Sequence, residues 1–122
     1  MTRVLVVDDE QNIRQVLVYV LEDEGYEVVE AYDGETALGL IERQHPDVII
    51  LDMKMPGMDG WEFVRRYREL YGHRAPIIVL TAAPDAAQRG ADVSADSYVP
   101  KPFDLDVLLE CVSSILGTTP GN

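Results

Sequence analysis

The sequence is poor in basic residues, in cysteine and in long apolar runs. Ten lysines and arginines stand against 22 aspartates and glutamates, so the formal net charge is −12 and the sequence pI is about 4.3. A net charge of this sign disfavours direct binding to nucleic acid or to an anionic membrane surface. The single cysteine, Cys111, cannot form an internal disulfide. Apolar runs of about five residues fall short of the ~20 that cross a bilayer, and no secretion signal opens the chain, so we expect a soluble cytoplasmic protein.

The rest of the composition is that of one globular domain. The chain has 122 residues and a mass of 13.6 kDa, the usual size of a single domain. Hydrophobic residues make up 47% and charged residues 26%, which excludes an intrinsically disordered chain. We expect residues 1–117 to form the domain and residues 118–122 to be a tail or linker stub.

Strand-like and helix-like segments alternate along the chain. Four segments are β-branched and almost uninterruptedly apolar, the pattern of strands buried on both faces: residues 4–7, 28–31, 48–51 and 77–80. A fifth candidate strand spans residues 97–99, and the intervening segments carry apolar residues at helical spacing. This alternation predicts an α/β fold, a doubly wound five-stranded parallel sheet with helices on both faces.

Local signals set several helix limits. Asp33-Gly34 and Asp59-Gly60 open the second and third predicted helices, and Asp104 is placed as the N-cap of the fifth. The segment 84–93 is rich in alanine and has a glycine in its middle, so we expect a short or frayed fourth helix there.

Acidic residues stand where two predicted strands end. Asp8 and Asp9 follow the first strand directly, and Asp52 follows the third. Either strand end alone would be read as a turn or a helix cap, but parallel sheets bind ligands beyond the carboxyl ends of their strands. If the two strands are neighbours, the three carboxylates converge. Either an upward pKa shift or a bound cation relieves their repulsion, and we expect the cation. Oxygen ligands without histidine or cysteine suit Mg²⁺, with Mn²⁺ as an alternative ion.

Two further residues complete this group. Thr81 closes the fourth predicted strand and Lys101 follows the fifth. A carboxylate can accept a phosphoryl group, whose oxygens then need contacts that neutralise their charge. Beside a carboxylate and a divalent cation, the Thr81 hydroxyl and the Lys101 ammonium could each contact one of those oxygens. Elsewhere, His45 and His73 are expected to be surface residues.

At these residues the sequence resembles the receiver domain of two-component response regulators. The motifs VLVVDDE, VIILDMKMPGMDG, PIIVLTA and SYVPKPF occur in the family's order and cover essentially the whole chain. The resemblance implies a flavodoxin-like sheet of strand order 2-1-3-4-5. It also implies that Asp52 accepts a phosphoryl group from the phosphohistidine of a sensor histidine kinase, from a histidine phosphotransfer protein or from a small phosphodonor.

The resemblance assigns roles to the other residues too. Asp8, Asp9, Asp52 and the backbone carbonyl of Lys54 would hold the metal ion, and Lys101 would bind the phosphoryl group. Thr81 and Tyr98 would be a switch pair that reshapes the face formed by the fourth predicted helix, the fifth strand and the fifth predicted helix. A downstream effector domain or protein would bind to that face. Formation of a homodimer through the same face is an open alternative. The domain would catalyse only its own phosphorylation and dephosphorylation, so it is not an enzyme acting on an external substrate.

Two other functions are weighed against this one. A receiver-like interaction module could work without phosphorylation, but all the expected site residues are present. A small phosphohydrolase would need an Asp-x-Asp arrangement, whereas Asp8 is followed directly by Asp9. The segment between Thr81 and Lys101 is about two residues shorter than is common in the family, which leaves the fourth helix and its part of the output face uncertain.

Overall fold

A computed structural model describes residues 2–53, 57–82, 96–101 and 104–117, with the backbone alone at positions 81, 82, 100 and 101. The elements within these ranges follow in chain order: β1 Arg3–Val7, α1 Gln11–Asp23, β2 Glu27–Ala31, α2 Gly34–Arg43, β3 Val48–Asp52, α3 Gly60–Tyr71, β4 Ile77–Ala82, β5 Ser97–Lys101 and α4 Leu105–Ile115. Within the described ranges, no helix combines the length and the apolar character that a membrane span requires.

The five strands form one parallel sheet in the order β2-β1-β3-β4-β5. The predicted α/β fold and strand order are therefore confirmed. Helix α4 is the fifth helix of the sequence prediction. The predicted short helix at 84–93 and the predicted tail at 118–122 lie outside the described residues, so both stay predictions.

The apolar strands are buried because helices cover both faces of the sheet. Every residue of β3 is buried, and so are four of the five in β1. Alternate strand residues point to opposite faces. Leu5, Ile49 and Leu51 belong to the core that α2 and α3 cover, whereas Val4 and Ile50 belong to the core under α1 and α4. Because helices cover both faces, the connecting loops lie at the two ends of the sheet.

Side-chain caps begin three of the helices where the sequence places them. The carboxylate of Asp33 accepts a hydrogen bond from the Thr36 amide at 2.8 Å, and that of Asp59 from the Glu62 amide at 2.9 Å. The Asp104 carboxylate accepts one from the amide two residues on, also at 2.8 Å. Each bond satisfies a backbone donor that the first helical turn leaves without an intrahelical partner.

The strands of the site run slightly further than predicted. Asp52 is the last residue of β3, Thr81 lies within β4, and Lys101 is the last residue of β5 instead of following it. The prediction ended the fifth strand before Pro100, which lacks a backbone donor. Proline is tolerated there because β5 is at the edge of the sheet and pairs with β4 on one side only.

Candidate functional site

The three predicted aspartates come together at the carboxyl end of the sheet. One carboxylate oxygen from each of Asp8, Asp9 and Asp52 lies within 4.8 Å of the others. The cause is the register of β1 and β3, which are neighbours and pair Val7 with Leu51, so the residues that follow stand side by side. Asp8 is fully buried and Asp52 is 4% exposed, whereas Asp9 is exposed to solvent.

Several contacts define the position of Asp8. Its amide donates to the Ala31 carbonyl of β2 at 3.1 Å, and its Oδ1 accepts a hydrogen bond from the Glu10 amide at 2.9 Å. Its backbone carbonyl accepts a hydrogen bond from Nη1 of Arg14 at 2.7 Å. The carboxylate therefore closes an Asx turn, while Glu10 is the residue in the N-cap position of α1.

The residue after Asp52 is fixed by its surroundings. Met53 is 6% exposed, and its amide donates to the Leu80 carbonyl at 3.2 Å. Its own carbonyl accepts from the amide of Gly60, the first residue of α3, also at 3.2 Å. A Cβ atom on Gly60 would lie 2.7 Å from the Cα of Met53, a distance that real Cβ atoms do not show. The close approach of α3 to the chain beyond Asp52 therefore requires glycine at position 60.

Thr81 and Lys101 are placed by their backbones. Asp52 pairs with Leu80 of β4, so Thr81 comes one residue beyond that pair. Thr81 is in register with Pro100, and Ala82 with Lys101, which brings both predicted residues to the carboxyl end of the sheet. The side chains of Thr81 and Lys101, and the whole of Lys54, lie outside the described structure. Their predicted contacts with a phosphoryl group or a metal ion stay predictions.

Tyr98, the second member of the predicted switch pair, lies in β5 opposite Val79. Its side chain is 43% exposed. The aromatic ring is thus accessible at the surface of an edge strand, and its predicted part in switching stays a prediction.

Sequence reasoning missed one basic residue beside the aspartates. Arg14 lies in the first turns of α1, and its side chain is 16% exposed. Its Nε donates to Oε1 of Glu30 in β2 at 2.9 Å, in addition to its bond with the Asp8 carbonyl. Nothing in the sequence pairs residues 14 and 30, because the pairing depends on how α1 packs over β2.

The expectation of surface histidines is confirmed for His73, which is exposed, and holds only in part for His45, which is half-buried before β3. Nε2 of His45 lies 3.0 Å from the hydroxyl of Tyr67. Burial is the main cause that lowers the pKa of His45 below 6.5 and raises the pKa of Tyr67 above 10.0. This pair is at the opposite end of β3 from Asp52, so it belongs to the scaffold and not to the aspartate site.

The ligand chemistry of the aspartate site fits a hard divalent cation. All three side chains offer carboxylate oxygen, and two of them are buried, where unrelieved repulsion is costly. Mg²⁺ binds through a few carboxylates and keeps several waters, which matches a cluster that is open to solvent at Asp9.

Comparison with known proteins independently supports the resemblance found in the sequence. The family model described as the response regulator receiver domain matches residues 4–113. Response regulator MprA of Mycolicibacterium vanbaalenii is 45% identical over 121 residues, which are 97% of this chain and 52% of that protein. The chain therefore spans about half the length of the curated relatives it matches.

Solved structures agree with the fold. The chemotaxis response regulator CheY4 of Vibrio cholerae has a TM-score of 0.85 and 40% sequence identity, covering 94% of this chain and 98% of that one. The response regulator TrrA of Thermotoga maritima, solved in complex with Mg²⁺-BeF, has a TM-score of 0.85 and 42% identity, covering 94% of this chain and 99% of that one.

Proposed function

This chain belongs to the response regulator receiver domain family, and we propose that it is a switch that a phosphoryl group on Asp52 turns on. The single observation that carries the proposal is the convergence of Asp8, Asp9 and Asp52 within 4.8 Å at the ends of two neighbouring parallel strands. The donor would be the phosphohistidine of a sensor histidine kinase or of a histidine phosphotransfer protein, or a small phosphodonor.

The carboxylate of Asp52 is suited to act as the nucleophile. One of its oxygens attacks the phosphorus atom, the P–N bond to the donor imidazole breaks as the new P–O bond forms, and the imidazole leaves. Burial and the bonding of Met53 on both sides keep the end of β3 in place. Phosphoryl transfer depends mainly on such positioning and on neutralising the phosphoryl oxygens.

Magnesium is the proposed cofactor. The carboxylates of Asp8, Asp9 and Asp52 and the backbone carbonyl of Lys54 would hold it, and when bound it would neutralise charge on the phosphoryl oxygens. The fit of an all-oxygen donor set supports this choice. So does the similar response regulator TrrA, whose solved structure is a complex with Mg²⁺-BeF.

Lys101 and Thr81 are proposed to contact the remaining phosphoryl oxygens. Thr81 would move toward the phosphoryl group, and Tyr98 would turn inward to fill the space left behind. The resulting change in the face around β5 would alter binding to an effector domain or protein in the cytoplasm. The phosphoryl group would act by favouring one of two conformations. To shift their populations from 1:99 to 99:1, it would have to interact with the favoured conformation about 5.5 kcal/mol more strongly than with the other.

Two side chains are proposed to set the lifetime of the phosphoryl group. Lys54 would reach toward the phosphoryl group or a carboxylate, and Ala83 would offer no polar group to orient the hydrolytic water. Rates of aspartyl-phosphate decay in Lys54→Ala and Ala83→Glu should therefore differ from the rate in the unsubstituted protein. Unchanged rates in both variants would reject this part of the proposal.

Intact-mass spectrometry tests the main proposal. Incubation with MgCl₂ and either acetyl phosphate or phosphoramidate should add about 80 Da, the mass of one phosphoryl group. Asp52→Asn should lose the adduct. Asp59→Asn is the matched control, because Asp59 caps α3 outside the cluster and asparagine caps equally well. The absence of an adduct with either donor would favour an interaction module that works without phosphorylation.

A further inference from the structure

We propose that Arg14 is a positioning residue for the metal site, holding the backbone at Asp8 so that its carboxylate meets those of Asp9 and Asp52. This inference rests on the proposed function, because it concerns the Mg²⁺ that the aspartates would bind. It extends that function to a residue on α1 whose contact with the cluster is through the main chain.

The geometry of Arg14 ties three elements together at one point. Its Nη1 donates to the carbonyl of Asp8 at 2.7 Å, and its Nε donates to Oε1 of Glu30 at 2.9 Å. The guanidinium thus links α1 to the end of β1 and to β2. Because guanidinium is planar, fixing two of its nitrogens also fixes its orientation, and the carbonyl of Asp8 is held in turn.

The held carbonyl bears directly on the carboxylate of the same residue. The amide of Asp8 bonds to Ala31 and its Oδ1 to the amide of Glu10, so the Asx turn and the strand end form one unit. Loss of the Arg14 contact would allow this unit to rotate. A rotation that separates the Asp8 oxygen from those of Asp9 and Asp52 would cost metal affinity, as loss of groups that orient metal ligands commonly does.

Long-range charge and positioning of Asp8 predict opposite changes in Mg²⁺ affinity when Arg14 is removed. A guanidinium near a cation site repels the cation, so its removal should strengthen Mg²⁺ binding if only long-range charge matters. If Arg14 positions Asp8, its removal should weaken binding. The sign of the change in dissociation constant therefore decides between them.

Isothermal titration with MgCl₂ alone provides the measurement. Arg14→Met removes both donors but keeps an apolar stem for packing, so this variant is expected to fold, and Arg14→Ala is the second variant. Both should bind Mg²⁺ on the order of tenfold more weakly than the unsubstituted protein. Arg43→Ala, which makes the same charge change at the exposed last residue of α2, is the matched control and should bind within about twofold.

Glu30→Gln gives a further check on positioning. Its amide oxygen can still accept from Nε of Arg14, so Mg²⁺ affinity should stay within about threefold of the original value despite the lost charge. Equal or tighter Mg²⁺ binding by Arg14→Met would overturn the inference and leave the proposed function intact. No Mg²⁺ binding by the unsubstituted protein would instead overturn the proposed function, so the two failures are distinguishable.

Discussion

Tyr67 and His45 share a hydrogen bond that joins α3 to the loop before β3. The hydroxyl oxygen of Tyr67 lies 3.0 Å from Nε2 of His45, and Nδ1 of the same ring lies 3.0 Å from the carbonyl of Pro46. A carbonyl can only accept, so Nδ1 carries a hydrogen, and in the neutral ring Nε2 accepts a hydrogen bond from the Tyr67 hydroxyl. Burial favours this neutral form, because it lowers the pKa of His45.

Because of His45, the free energy of unfolding should decrease as the pH is lowered below 6.5. Burial is the largest effect and lowers the pKa of His45 below 6.5. The hydrogen bond to the Pro46 carbonyl opposes it, Arg74 lowers the pKa further, and Asp47 has the smallest, opposing effect. Above pH 6.5 both folded and unfolded states hold a neutral ring, so the stabilisation is complete. As the pH falls below that value, the unfolded chain takes up the proton first and stability is lost.

Urea unfolding at about pH 7.5 and pH 5.5, either side of the unperturbed histidine pKa, measures this loss. His45→Gln should show a smaller fall in midpoint than the unsubstituted protein, since glutamine does not titrate. His73→Gln is the matched control at the exposed histidine and should keep the full fall. An equal fall in His45→Gln would contradict the assignment.

Tyr67→Phe should destabilise the protein by about 1–3 kcal/mol, because a buried donor loses its acceptor. The Tyr67 hydroxyl accepts a hydrogen bond from the amide of Ala75 at 3.0 Å, and Ala75 is fully buried. Chemical denaturation measures the change. Tyr19→Phe, at a tyrosine that is 72% exposed, should change stability by less than about 0.5 kcal/mol. Similar values for the two variants would show that the bond to Ala75 contributes nothing.

The aspartate cluster could be predicted because it follows from strand order alone. Apolar runs at residues 4–7 and 48–51 indicate buried parallel strands, and acids directly after each run must meet if the strands are neighbours. The N-caps Asp33 and Asp59 are equally local, since each depends on residues within three positions. Such features need no knowledge of how helices sit on the sheet.

Three of the contacts that were missed join side chains distant in sequence. Arg14 and Glu30 are 16 residues apart, and Tyr67 and His45 are 22 apart. Arg68 and Asp96 are 28 apart, with Nη2 of the arginine 3.0 Å from a carboxylate oxygen. Whether such partners meet depends on the angle and depth at which each helix packs. Apolar spacing shows which side of a helix is buried but not where along the sheet each residue falls.

Gly60→Ala should destabilise the domain by about 1–3 kcal/mol, because the added methyl overlaps a packed neighbour. The new Cβ would lie 2.7 Å from Cα of Met53, a backbone atom that cannot turn aside as a side chain can. Gly39→Ala is the matched control within α2, where a Cβ meets nothing within 4 Å. That variant should gain about 0.5–1 kcal/mol from the better helix propensity of alanine.

Urea midpoints of the two variants check the sign of each change. If Asp52 accepts a phosphoryl group as proposed, the Gly60 variant should also be phosphorylated more slowly by acetyl phosphate, because Met53 directly follows Asp52. A Gly60→Ala protein as stable as the original would mean that α3 can shift away from Met53 without cost.

Asp52→Asn should stabilise the protein in EDTA and abolish most of its stabilisation by magnesium. Three carboxylates within 4.8 Å repel one another when no cation is bound. At separations near 4 Å, each pair of unit charges interacts by about 1–4 kcal/mol for effective dielectric constants between 80 and 20, so removing one charge should raise stability by about 1 kcal/mol or more. With excess MgCl₂, the original protein should gain about 2.7 kcal/mol at a concentration 100 times Kd.

Thermal and urea unfolding in EDTA and in MgCl₂ measure the stability of each protein in both conditions. Asp59→Asn again serves as the control, since it removes one carboxylate outside the cluster and should respond to magnesium as the original does. Asp52→Asn should be the more stable protein in EDTA, and the difference should shrink or reverse as magnesium is added. Only Asp52→Asn removes a charge from the aspartate cluster. If both variants nevertheless show the same stability in EDTA and the same response to magnesium, magnesium does not act by relieving repulsion within that cluster.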